Sequence, residues 1–420
     1  MIIPVIHPIE EIKFPKVEKI GLKNAIPVFG FNGATNDILR IDLVFDSGRW
    51  TEPDKLISES VAKLFKSGTS TLNSFALNEQ IDFYGSTIKA NSGYNTMTVS
   101  VYCMHRYLEA TLQLLMTCLN DIVFPENEIA IMKKNAIAKL KVNQEKNDFL
   151  ANVAFKEIIF GGTHPFGYAV SEETIQNIQQ ALLLQLYNND IQPTNCTIFI
   201  AGKYGENELK LIDTYLGNWQ KGNNQPQEKK TYTAVSSTQK ISHIKKEKSV
   251  QASIVIGKEF FNRSHEDYAS FVLLNTIFGG YFGSRLMSNI REEKGLTYGI
   301  YSGLSTLKTT GIYAIQTDTN LENLDTCLHE IYTEIERLQN ELIPENEITL
   351  ARNYLLGKFL GRTDGAFSQL ETFKSYFIEG IDINMFEEFV QRIQQTDAVS
   401  LQQLAQQHLQ KESLFEVVVG

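Results

Sequence analysis

The segment Pro125-Glu126-Asn127-Glu128-Ile129 opens the run PENEIAIMKKNAIAKL, and it returns 219 residues later as Pro344-Glu345-Asn346-Glu347-Ile348, opening PENEITLARNYLLGKF. Self-similarity at half the chain length fixes the organisation before any single motif is weighed. In both copies the proline suits a helix start, where a missing N–H costs nothing, and the acids after it meet the positive end of the helix dipole.

Working outward from these two anchors, the surrounding elements recur in the same order. The first half reads as a strand at Ile38–Phe45, helices over 53–66 and 73–84, two strands within 86–104, and several helices. The second half starts with a strand at 252–256 and follows with two helices, two strands within 297–317, and helices again. Leu108, Leu112, Leu115 and Leu119 have the helical spacing that covers a sheet. Strands that pair in hairpin order, rather than through single crossover helices, predict an α+β fold. The expectation is two homologous domains, each a mostly antiparallel sheet covered by helices, opposed like the halves of a clam. Residues 221–240 are polar, poor in large aliphatics and contain Pro226, which suits a linker between a domain at 1–220 and another at 241–420.

A chain of 420 residues exceeds one ordinary core, and 43% hydrophobic with 21% charged residues matches globular proteins. A net charge of -10 argues against nucleic-acid or anionic-membrane surfaces. The start, MIIPVIHPIEEIKFPK, is broken by Pro4, His7 and Pro8 and lacks a basic lead, so it does not read as a signal peptide. No apolar run approaches the about 18 residues of a membrane span. Cys103, Cys118, Cys196 and Cys327 are scattered, as buried thiols in a reducing compartment would be, and a cytoplasmic location is expected.

Local chemistry is sparse. No two of the seven histidines lie within two helical turns of each other, and there is no GxSxG elbow or Walker loop. The glycine-rich stretch Gly279–Ser284 falls between two predicted helices and reads as a tight turn. His164, among Gly161, Gly162, Pro165 and Gly167, reads as a structural residue of a loop.

Three segments carry a resemblance: Val44-Phe45-Asp46-Ser47-Gly48-Arg49-Trp50; Ser67-Gly68-Thr69; and Gly279–Arg285 followed by LMSNIREEKGLTYGIYSG. With them, nearly all of residues 20–420 resembles the pitrilysin/insulinase (inverzincin) family of zinc peptidases, in its shorter, processing-peptidase-like branch. Active members carry HxxEH on a helix, two zinc-binding histidines on one face and a glutamate to deprotonate the metal-bound water. Counting back from Gly68-Thr69, those positions hold Glu59, Ala62 and Lys63. The family's third ligand, a glutamate on a later helix, falls in Ala136-Ile137-Ala138-Lys139-Leu140. Arg291 and Tyr298 match the family's Arg/Tyr pair, which can hold a peptide carbonyl and stabilise an oxyanion. The resemblance therefore implies a subunit that binds no metal and is inactive alone. It would bind extended peptides and lend Arg291 and Tyr298 to an HxxEH-bearing homologous partner that holds the zinc. The alternative is a purely structural or peptide-binding protein, such as a homodimer, with no proteolytic role.

Overall fold

A computed structural model describes residue 9, residues 11–222 and residues 230–420. The first sheet contains β1 (Glu18–Ile20), β2 (Val28–Asn32), β3 (Ile38–Phe45), β4 (Thr87–Ser92), β5 (Met97–Met104) and β6 (Cys196–Gly202), in the order β1-β2-β6-β3-β5-β4. The second contains β7 (Ile241–Ile244), β8 (Gln251–Phe260), β9 (Ile300–Thr306), β10 (Gly311–Asn320) and β11 (Phe415–Val419), in the order β7-β11-β8-β10-β9. Each sheet is antiparallel except at one pair, β2 with β6 and β7 with β11. The fold is α+β with two similar layered halves.

The two PENEI segments open helices of equal length, Glu126–Gln144 and Glu345–Thr363, with Pro125 and Pro344 standing just outside as caps. Each is followed by a second long helix, Asn147–Phe160 and Gly365–Glu379 respectively. These two following helices are exchanged. Ala151, Phe155, Ile159 and Phe160 pack on Val255, Phe415, Val417 and Val419 of the second sheet. Reciprocally, Ala366, Leu370 and Phe373 pack on Phe31, Val44, Phe199 and Ala201 of the first.

The exchange explains the strand sequences. Along β3, alternate residues face opposite sides. Leu39, Ile41, Leu43 and Phe45 enter the core under the first half's own helices, while Val44 faces the helix from the other half. Arg40 and Asp42, on that same face, are buried too. Arg40 donates to both carboxylate oxygens of Asp42, at 2.9 and 2.7 Å, and pairs with Glu371. Lys374 closes the set, with its ammonium 2.5 Å from Asp42 and 3.1 Å from Glu371. A four-member ionic cluster thus bridges the halves beneath a layer of phenylalanines, Phe29, Phe199, Phe373 and Phe377.

Several expected boundaries shift. The helix expected over 53–66 is confined to Ile57–Lys63, because Leu56 adopts a left-handed backbone (φ +67°) that interrupts it. Of the expected linker, residues 223–229 lie outside the described residues, and the rest is mostly exposed but tied to the fold at a few points. Val235 and Ser237 donate backbone hydrogen bonds to the carbonyls of Phe160 and Ile158, and the Tyr232 ring meets Trp50 and His164. His164 is buried, its ring stacked on Phe160 and its Nδ1 accepting from the Phe166 N–H. The four cysteines are buried and unpaired.

Candidate functional site

The helix Ile57–Lys63 presents Glu59 and Lys63 on one face, four residues apart, where they form an ion pair of 2.7 Å. Arg49, from the turn after β3, approaches the same carboxylate at 3.5 Å, and its guanidinium lies over the rings of Tyr94 and Tyr168. Partial burial pushes the Glu59 carboxyl up, but the Lys63 hydrogen bond and the charges of Lys63 and Arg49 outweigh it, so the group stays below its usual range. Opposite, Ala136, Lys139, Leu140 and Asn143 of the helix Glu126–Gln144 complete the wall of a cavity of about 240 Å³. The two stretches matched to the family's metal ligands, some 75 residues apart in sequence, therefore meet in space.

The second site lies in the other half. The helix Met287–Glu293 carries Arg291 in its last turn, and Gly295 reverses the chain with a left-handed φ of +63° that only glycine adopts without strain. The chain then returns through Tyr298 to β9. Arg291 Nε donates to the Tyr298 carbonyl at 3.1 Å, and its guanidinium sits 4.8 Å from the centre of the Phe282 ring. Both residues line an open pocket of about 600 Å³ with Thr297, Asp318 and Asn320. The Tyr298 side chain is 95% exposed. The stretch Gly279–Ser284 proves to be more than a helix-to-helix turn. Gly279 lies against β9, where an added Cβ would come within 2.8 Å of the Ser302 backbone nitrogen.

The first turn of the exchanged helix Asn147–Phe160 touches both sites. Phe149 lines the cavity of Glu59, and Asn147 donates to the carbonyl of Gln251, which lines the pocket of Arg291. Of the residues singled out in the sequence, Glu59 and Lys63 line the cavity and Arg291 and Tyr298 line the pocket, whereas Ala62 is buried in the core of the first half. Arg49 was passed over as a cavity residue, and Lys139 figured only within the stretch matched to the third metal ligand. Their convergence depends on a turn and a helix brought together only by the sheet.

Two models of one peptidase family match the chain, "Insulinase (Peptidase family M16)" over residues 31–163 and "Peptidase M16 inactive domain" over residues 177–355, together about three quarters of its length. The chain belongs to the M16 family. Among M16 relatives, the "Non-peptidase homolog YmxG" of Helicobacter pylori is 22% identical over 419 residues, covering 98% of this chain and 93% of that one. The "Uncharacterized zinc protease YmxG" of Bacillus subtilis is 22% identical over 349 residues, covering 82% and 84%. A crystal structure of a peptidase M16 inactive domain from Pseudomonas fluorescens shares the fold, with a TM-score of 0.85 at 21% identity over 97% and 98% of the two chains.

Zinc, the metal of active M16 members, does not fit the residues present here. Of the positions matched to the metal site, only Glu59 offers a donor, and both its oxygens face cations. Ala62 and Ala136 have none, and the ammonium groups of Lys63 and Lys139 line the same space. Hydrolytic zinc needs several neutral or anionic ligands around an open position. Among the described residues, no three His, Cys, Asp or Glu side chains are placed to hold a metal ion. None of the described helices is long and apolar enough to cross a membrane.

Proposed function

We propose that this M16 homologue is a non-catalytic subunit that binds extended peptides and presents Arg291 and Tyr298 to the zinc site of an HxxEH-bearing homologous partner. The observation that carries the reading is the pairing at the second site. Arg291 is oriented by the Tyr298 carbonyl and the Phe282 ring, while the Tyr298 phenol projects almost wholly into solvent. A guanidinium and a phenol so arranged are donors without a substrate of their own. Against a partner's scissile carbonyl they would hold the oxygen and stabilise the charge that develops on it. An extended peptide would dock as an added strand. The outer strands are β1 and β4 in the first sheet and β7 and β9 in the second, and at β9 the Ser302 carbonyl is already taken by Asn275 Nδ2 at 3.2 Å. Four unpaired buried thiols support a reducing, cytoplasmic setting for this work.

The test mixes the purified chain with an HxxEH-bearing homologue and a quenched peptide. Turnover should need both chains, and Arg291→Ala should lower it by roughly 10²–10³-fold, the usual loss for one oxyanion donor. Tyr298→Phe should cost less. Unchanged turnover with Arg291→Ala would sink the shared-site idea. A second reading, a peptide-binding or structural homodimer with no proteolytic role, is favoured by the name of the Helicobacter pylori relative, a non-peptidase homolog. It predicts a stable homodimer by light scattering and no turnover with any homologue.

A further inference from the structure

The cavity that replaces the metal site has a charge and a lining of its own. Three cations, Arg49, Lys63 and Lys139, line it against the single carboxylate of Glu59, in a chain whose net charge is -10. Glu59 is engaged by Lys63 and Arg49. Lys139 is exposed and neutralised by no carboxylate of the cavity wall. Arg49 is held by its rings more than by its ion pair, since 3.5 Å is a long contact and the Tyr94 and Tyr168 ring centres are 5.4 and 5.0 Å away. Stacking of this kind fixes a guanidinium while leaving its N–H edge available.

Behind this cationic mouth the wall turns apolar, with Leu56, Met132, Leu140, Phe149, Ile175 and Ile178. Its volume of about 240 Å³ lies below the roughly 300–1,000 Å³ of sites for drug-sized ligands. It suits a group the size of one aliphatic side chain. A bare anion would leave the apolar wall unused, and a neutral hydrocarbon would leave the excess positive charge unanswered. We propose that the emptied metal site is a carboxylate-binding pocket, taking a carboxylate borne directly on a branched apolar group, as in a peptide C-terminus ending in leucine or a small aliphatic acid. The carboxylate would meet Lys139 and Arg49 at the mouth, and the alkyl group would sit against Leu140 and Phe149. This assignment does not rest on the role proposed for Arg291 and Tyr298.

Calorimetric titration of the whole chain tests it with four probes: 4-methylpentanoate, its primary amide, the peptide Ala-Ala-Leu with a free carboxylate, and the same peptide amidated. The acids should bind and each amide should bind at least about tenfold more weakly, a difference of about 1.4 kcal/mol. A peptide tighter than 4-methylpentanoate identifies a chain terminus as the source; equal affinities identify a free acid. Lys139→Ala and Lys139→Glu, at an exposed helix position, should weaken the acids progressively with unchanged circular dichroism. Acids and amides binding alike, no binding at millimolar acid, competition by inorganic phosphate as strong as by 4-methylpentanoate, or indifference to Lys139→Glu would each overturn the assignment. None of these results touches Arg291-dependent turnover, so the two readings fail separately.

Discussion

Asp42 shows what a single side chain costs and contributes in this fold. It is fully buried, and its charge persists because burial, which pushes its carboxyl up, is outweighed by the Arg40 hydrogen bonds and the charges of Lys374 and Arg40. Asp42→Ala should therefore destabilise the chain by about 3–5 kcal/mol, as read by urea unfolding, since it leaves the buried Arg40 and Lys374 with only the half-exposed Glu371 as counter-charge. The acid response has a definite sign. A carboxyl held below its ordinary range stabilises the fold fully above its unfolded pKa, about 3.9, and that contribution is lost as pH falls through the lower folded value. Asp42→Asn should flatten the stability loss below about pH 4. An acid limb as steep as that of the unsubstituted chain would refute the ionic account. Gly279→Ala should cost about 1–3 kcal/mol, because the methyl group meets backbone at Ser302 and the helix cannot back away without leaving β9.

At the scale of elements, the decisive parts are the helices Asn147–Phe160 and Gly365–Glu379, each capping the other half's sheet. Phe373 meets the rings of Phe29, Phe31 and Phe199 across the boundary. Phe373→Ala should cost about 3 kcal/mol and raise hydrogen exchange in β2 and β6, in the half that does not contain the substitution. Exchange that rises only around the helix itself would count against cross-packing. The strands and the repeated PENEI helices were legible because period-two alternation and a fixed offset are local signals. The exchange was not, since nothing in a helix's own pattern says which sheet it will cover. Arg40 and Asp42, two apart on one face of an otherwise apolar strand, were the available hint that this face meets buried charge rather than water. The meeting of Arg291 and Tyr298 was readable because a glycine turn separates them by seven residues. That Arg49 and Lys139 line one cavity was not, because it depends on three elements packing together.

For the whole molecule, the exchanged helices make the two halves mutually dependent. Residues 11–222 expressed alone should expose Phe29, Phe31, Val44 and Phe199 around an incomplete ionic cluster, and should aggregate or bind a hydrophobic dye. Residues 230–420 alone should behave likewise, while co-expression of the two pieces should restore a cooperative melting transition. Two pieces that each melt cooperatively in isolation would show that the exchange is dispensable. The same feature governs how the chain is made. The last strand of the first sheet is complete at Gly202, yet one face of that sheet stays bare until Glu379 has left the ribosome. At ordinary elongation rates that interval is on the order of ten to thirty seconds, a window in which a phenylalanine-rich surface needs a chaperone's cover.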